Sequence, residues 1–291
     1  QLDYTGTRVF IGAHADDHTH NNSGSVYIYR RVAKGDWTLE QRIDGGGSSY
    51  RYGYNDVNND GDKLLIGSYG YSSNTGRVWY YTRSGTTWTL QEQLAAPDGG
   101  TFGISLGMNS AGTRAVIGAY NVHKVYIWNY SGSSWSHDAT ITKDNYFGWN
   151  VDMSNDGNTI VVAARGNDKA FIYDTTDGGT TWTLMKEYSG YVNLQTVQIS
   201  GDGTTVVAGD PEGNPNSSGH AYVYIKSGGS WPSSHDKRID PNRDAGYSGQ
   251  SVGISDTGDV VSGAFGDSES GTQRGAAYVY EKEISGPTLT Y

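Results

Sequence analysis

Residues 114–135 read RAVIGAYNVHKVYIWNYSGSSW. Two apolar runs, AVIGA and VYIW, flank a few polar residues, and the second ends in a Ser/Gly turn before Trp135. Runs of this length are too short for helices and read as strands covered on both faces. The phrase returns through the whole chain. Its second half appears as VYIY at Val26, VWYY at Val78, VYIW at Val125, AFIY at Ala170, and AYVY at Ala221 and Ala277. Its first half gives a small residue at Gly12, Gly67, Gly118, Ala164, Gly209 and Gly263. A polar turn and then Trp37, Trp88, Trp135, Trp182 or Trp231 follow; the sixth copy has Pro287 instead.

A third element precedes each first half. It reads FGISLGMNSAG from Phe102, FGWNVDMSNDG from Phe147 and SGQSVGISDTG from Ser248, with looser copies YGYNDVNNDG from Tyr52 and LQTVQISGDG from Leu194. Only its tail, LDYTG from Leu2, stands in the first copy. Six copies in 291 residues average about 48 residues each, the range of four-stranded propeller blades. One blade cannot bury both its apolar faces alone, so it needs neighbours. The predicted fold is all-β: a single β-propeller over residues 1–291 with six blades of four antiparallel strands, at about 1–49, 50–100, 101–145, 146–192, 193–246 and 247–291. The glycine in the second strand is expected where blades converge and leave no room for a side chain.

Composition agrees. Forty-two glycines and 23 tyrosines, with helix formers scarce, describe a turn-rich β protein. With no cysteine, disulfides and thiolate metal sites are excluded. No apolar run is long enough for a membrane helix. The net charge of −10, without a basic cluster, argues against nucleic acid. The chain begins with Gln and shows no signal-peptide pattern, which reads as a processed form or an excerpt. Sequons at Asn21, Asn129 and Asn216 are as many as an Asn- and Ser-rich chain yields by chance.

Phe-Gly at Phe102 and Phe147, paired with Gly-Ala at Gly12, Gly118 and Gly263 and Gly-Asp-Pro at Gly209, resembles the FG-GAP repeats of integrin-α-like propellers. The resemblance spans essentially the whole chain. It implies an extracellular setting, adhesion or ligand binding without catalysis, and calcium in the turn between the first two strands. The nearest match to that calcium pattern is Asp56, Asn58, Asp60 and Asp62 around Gly61, followed by Asp152, Ser154 and Asp156, but the downstream carboxylate is lacking. The same residues also read as an Asx-type hairpin turn. Thr175, Asp177, Gly178, Gly179, Thr181 and Trp182 resemble the Asp-box of sialidases, a fold signature remote from their active sites. Sialidase activity would need an arginine cluster and a tyrosine nucleophile, and nothing in the sequence selects such a set.

The loops that share one propeller face carry the candidate ligand-binding residues Tyr50, Tyr52, Tyr54, Asp144, Tyr146, Trp149, Tyr191 and Arg243. Exposed aromatic rings stack on sugar faces while Asp and Arg bind hydroxyls, and the same composition serves protein paratopes. Against this, Tyr52, Phe102 and Phe147 also read as aromatics tucked between blades. A second cluster, AHADDHTHNN, holds His14, Asp16, Asp17, His18 and His20, which could ligate zinc or another divalent ion, or form a solvated polar loop. No catalytic mechanism is assignable. The sequence thus reads as a non-enzymatic binding or adhesion propeller on an extracellular, cell or virion surface, recognising a glycan or protein, with no certain cofactor and calcium as the candidate metal. The alternatives are a structural building block that contacts copies of itself or assembly partners, and a polysaccharide-processing enzyme.

Overall fold

Tight turns join strands that pair only with their sequence neighbours, so each copy becomes an antiparallel meander. The computed structural model describes residues 1–143, 145–213, 218–240, 246–266 and 275–281. They fall in two compact units, Gln1–Gly190 and Tyr191–Tyr291.

In the first unit, blade 1 holds β1 (Arg8–Ala13), β2 (Ser25–Ala33) and β3 (Asp36–Asp44). Blade 2 holds β4 (Tyr52–Val57), β5 (Lys63–Ser68), β6 (Arg77–Ser84) and β7 (Thr87–Leu94). Blade 3 holds β8 (Leu106–Met108), β9 (Arg114–Ala119), β10 (Lys124–Tyr130) and β11 (Trp135–Thr142). Blade 4 holds β12 (Phe147–Met153), β13 (Thr159–Ala164), β14 (Lys169–Asp174) and β15 (Thr183–Tyr188). In the second unit, blade 5 holds β16 (Thr196–Ile199), β17 (Thr205–Asp210), β18 (His220–Ile225) and β19 (Lys237–Ile239). Blade 6 holds β20 (Ser248–Ile254), β21 (Val260–Ala264) and β22 (Ala276–Tyr280). The chain is an all-β, six-bladed β-propeller with three or four described strands per blade. Where a first strand of blade 1 would lie, Leu2 bridges Val9. Pro287 and the C-terminal GPTLTY lie outside the described residues.

The two-sided apolar strands have a direct cause. Along β5, Leu64 and Ile66 join Phe10, Val26 and Ile28 of blade 1, whereas Leu65 joins Phe102, Ile117 and Tyr126 of blade 3. In β9, Ile117 faces blade 2 while Val116 joins Phe147, Val162 and Phe171 of blade 4. Alternate side chains of one strand thus enter two different cores. Blades 5 and 6 share Val207, Ala221, Val223 and Val260 in the same manner. Each such side chain, fully buried, contributes about 1.5–3 kcal/mol.

Glycine permits the closest approach between blades. A Cβ added at Gly12, Gly67, Gly118 or Gly209 would stand 1.8, 2.0, 2.2 or 2.1 Å from the carbonyl oxygen of Gly53, Gly103, Gly148 or Gly249 in the following blade. The carbonyl-bearing glycines Gly103, Gly148 and Gly249 have φ of +88°, +88° and +91°, a region that L-residues rarely enter. In blade 4 the equivalent register position, opposite Ala170, is Ala163 and not the Ala164 read from the sequence.

The turns between first and second strands share one device: a side chain at the first turn position accepts backbone N–H groups across the turn. Asp3 Oδ1 accepts from Thr7 and Arg8, Asn58 Oδ1 from Asp62 and Lys63, and Asn109 Oδ1 from Thr113 and Arg114. Ser154 and Ser200 Oγ accept from the N–H groups of Thr159 and Thr205. In the Asp-box-like turn, Asp177 Oδ1 accepts from Thr181 N–H at 2.9 Å and Trp182 Nε1 donates to Gly179 O at 2.7 Å. The Arg114 guanidinium of blade 3 donates to the Gly178 carbonyl of this turn and to the Gly157 carbonyl of the turn between β12 and β13.

The inner strands carry a buried electrostatic cost. On β4, Asp56 Oδ2 accepts the Met108 N–H of blade 3 at 2.7 Å, joining adjacent first strands. Desolvation and then the nearby Asp152 carboxylate push the Asp56 carboxyl up to about 7. Its folded value exceeds its unfolded value of about 4, so the folded state holds the proton more tightly. Stability attributable to this group is therefore full below about pH 4 and falls as pH rises toward about 7. Asp56→Asn is expected to flatten this dependence, gaining on the parent protein in thermal midpoint between pH 5 and pH 8; equal slopes for both proteins would contradict the assignment. Gly118→Ala is expected to cost about 1–3 kcal/mol or more in urea unfolding. Gly46→Ala, where nothing lies within 4 Å of the added Cβ, serves as a control expected to stay within about 0.5 kcal/mol.

Candidate functional site

First strands begin and second strands end on the same side of each blade, so the residues just past the glycine positions gather on one rim. Second strands β1, β5, β9 and β13 end at Ala13, Ser68, Ala119 and Ala164. The next residues are His14, Tyr69, Tyr120 and Arg165. The residues after the first-strand glycines Gly53 and Gly148 are Tyr54 and Trp149. All six lie in the first unit.

They form an arc of rings. The His14 imidazole stacks on Tyr54 with centroids 5.6 Å apart, and Tyr54 meets Tyr69 edge-to-face at 5.5 Å. Tyr120 meets Tyr146 at 5.6 Å and Trp149 at 5.0 Å, both edge-to-face. The Arg51 guanidinium lies 5.6 Å from the Tyr69 centroid and that of Arg165 4.5 Å from Trp149. His123 Nδ1 accepts the Tyr146 N–H at 3.0 Å and holds the end of the arc.

The phenols of the two halves feel one another's charge. Burial, then Tyr69, pushes the Tyr54 phenol up to about 12, opposed by Arg51, with Tyr120 adding to the rise. The Tyr120 phenol is raised by burial, then by Tyr69 and Tyr146, against Arg165. Both phenols are therefore hydrogen-bond donors at neutral pH. Partly exposed rings, phenolic donors and guanidinium cations together suit a ligand with flat apolar faces and many hydroxyls.

Of the residues singled out from sequence, Tyr54, Tyr146 and Trp149 stand in this arc, with Tyr146 47% exposed. Tyr50 packs against Tyr71 at 4.9 Å. Tyr52 is only 2% exposed and donates to the Tyr81 hydroxyl at 2.9 Å, so it belongs to the packing between blades, as Phe102 and Phe147 do. Tyr191, in the second unit, is 8% exposed and shares a hydrogen bond with the Tyr224 hydroxyl. Asp144 and Arg243 lie outside the described residues. Sequence reasoning passed over Arg51, Tyr69, Tyr120 and Arg165 and read His14 only as a metal ligand. The signal was the position immediately after the Gly-Ala or Gly-Ser pair, which the repeat delivers to the same rim.

The metal candidates are engaged elsewhere. Asp56 turns to Met108, Asn58 and Asp62 bond each other, and Asp60 is exposed. In the first loop, Asp16 accepts the His18 N–H and the Tyr27 hydroxyl, and Asp17 accepts the Asn22 N–H. Neither His18 nor His20 joins His14 on Tyr54. Among the described residues, no three His, Asp or Glu side chains come together as a metal-binding group.

No protein-family model matches the chain. A xyloglucanase from Paenibacillus is 36% identical over 87 residues, covering 26% of this chain and 8% of that protein, so the chain spans a small part of that relative's length. Among solved structures, the periplasmic gluconolactonase of Pseudomonas aeruginosa aligns with a TM-score of 0.67 and 12% identity, covering 92% of this chain and 78% of that one. A proposed 6-phosphogluconolactonase from Bacteroides fragilis gives 0.62 and 14%, covering 82% and 69%. These neighbours overturn the FG-GAP resemblance: the propellers that this chain resembles are lactonase-type, not integrin-like. The non-enzymatic adhesion reading is corrected with it, because the named neighbours are a gluconolactonase and a proposed 6-phosphogluconolactonase and not adhesion propellers. The phenylalanine-glycine and glycine-alanine pairs that suggested the resemblance record close blade packing, a constraint that unrelated propellers can share.

Proposed function

We propose that the protein is a carbohydrate-processing hydrolase that opens a sugar lactone, in a secreted or periplasmic setting. The observation that carries this reading is the arc of Tyr54, Tyr69, Tyr120 and Trp149 with Arg51 and Arg165 on one rim of the first unit. The gluconolactonase neighbour and the local similarity to a xyloglucanase support a sugar substrate. The substrate ring lies on an aromatic face, and the Tyr54 phenol beside His14 donates to its hydroxyls. The Arg51 guanidinium, over Tyr69 on the imidazole side of the arc, stabilises negative charge developing on the carbonyl oxygen.

His14, at the end of the arc, is the proposed base. Water adds its oxygen to the lactone carbonyl carbon while the imidazole takes its proton. The tetrahedral intermediate collapses by breaking the bond from the carbonyl carbon to the ring oxygen, and that oxygen takes the proton back from the imidazolium. The product is an open-chain hydroxy acid. Acid release from glucono-δ-lactone, followed with a pH indicator and corrected for spontaneous opening, tests the reading. His14→Gln is expected to lower kcat about 10²–10⁴-fold, while Tyr69→Ala, on the imidazole side of the arc, acts mainly by raising KM. Wild-type turnover in His14→Gln would remove His14 as the base, and a parent protein inert on every lactone would remove the reading.

A further inference from the structure

A single sugar ring uses only part of the arc. His14, Tyr54 and Tyr69 occupy blades 1 and 2, Tyr120 follows in blade 3, and Trp149 with Arg165 belongs to blade 4. Successive ring centroids within each half stand 5.0 to 5.6 Å apart, about the breadth of one pyranose. The Tyr54–Tyr69, Tyr120–Tyr146 and Tyr120–Trp149 contacts are all edge-to-face, with interplanar angles of 67°, 83° and 64°. In such a contact the edge-on ring keeps its own faces uncovered by its partner. His14, Arg51 and Arg165 each take one face of Tyr54, Tyr69 and Trp149, and the rings recur from blade 2 to blade 4, so the arc offers a succession of platforms and not one slot. Its members supply phenol, indole, imidazole and guanidinium groups, a set matched to hydroxyl-rich rings.

We infer that the lactone is the terminal residue of an oligosaccharide whose preceding sugars lie along the arc from Tyr54 to Trp149. The inference rests on the lactone reading and extends it from a monosaccharide to a chain. Binding energy from remote sugars then lowers KM and leaves the chemical step at the terminal residue unchanged. The imidazole end of the arc receives the lactone, and the Tyr120–Trp149 end holds the chain.

Lactones prepared from glucose and from the di-, tri- and tetrasaccharides of the cello and malto series provide the test. In at least one series KM is expected to fall 10-fold or more between mono- and trisaccharide, with kcat nearly constant. Tyr120→Ala and Trp149→Ala should reduce this gain with length, and Tyr120→Phe should retain it, since stacking needs the ring and not the hydroxyl. Thermal unfolding of each variant verifies the fold, and Tyr120→Phe carries the test should an alanine variant fail to fold. KM independent of chain length in both series overturns the inference and leaves the lactone reading intact. Absence of turnover on every lactone, the monosaccharide included, removes both.

Discussion

The structure depends on backbone meeting backbone at the seams between blades. A glycine in the second strand of one blade receives the carbonyl oxygen of a glycine in, or just before, the first strand of the next, at Gly12 and Gly53, Gly67 and Gly103, Gly118 and Gly148, and Gly209 and Gly249. No side chain fits between them. The carbonyl-bearing glycine at three of these seams, Gly103, Gly148 and Gly249, also has a positive φ, so both members of those pairs are constrained, one by space and one by torsion. The apolar side chains on either side then close over the seam from both blades.

That approach also builds the site. Because the seam lies near the end of the second strand, the residues immediately past it project from a rim common to adjacent blades. His14, Tyr69, Tyr120 and Arg165 are equivalent positions in four copies of the repeat, yet they carry three kinds of chemistry: an imidazole, two phenols and a guanidinium. A repeat scaffold thus keeps its packing positions nearly uniform and varies the next residue along. The lactonase-type neighbours share this architecture at 12–14% identity, as expected where packing constraints outlast the residues around them.

Electrostatics divides the molecule into two layers. At the rim, phenols are raised by burial and by one another and stay protonated, so they remain donors. Deeper, Asp56 faces a low-dielectric interior near the Asp152 charge and holds its proton nearly to neutrality while bridging to Met108. The carboxylates of the turns behave oppositely: Asp177, bonded by the Thr181 N–H, is held down to about 2. Position in the blade, not residue type, decides which of these a given aspartate becomes.

The repeat, the strands and the blade architecture were legible in the sequence because packing between blades writes the same small and apolar residues into every copy. The turn residues were legible too, since Asp, Asn or Ser at the first position serves the local backbone whatever lies beyond. The site was only partly so. Tyr52 and Tyr54 are two residues apart on one strand, yet a register shift between them sends one into the core and leaves the other on the rim, as no periodicity indicates. His14 looked like part of a metal-binding cluster, whereas Asp16 and Asp17 are consumed by their own loop and the imidazole stacks on Tyr54 of the next blade. By itself the sequence determined what each blade is made of, because those demands are local or repeated. Which aromatic rings share a surface was decided by the tertiary structure alone, because the contacts of His14 with Tyr54 and of Tyr120 with Trp149 join different blades.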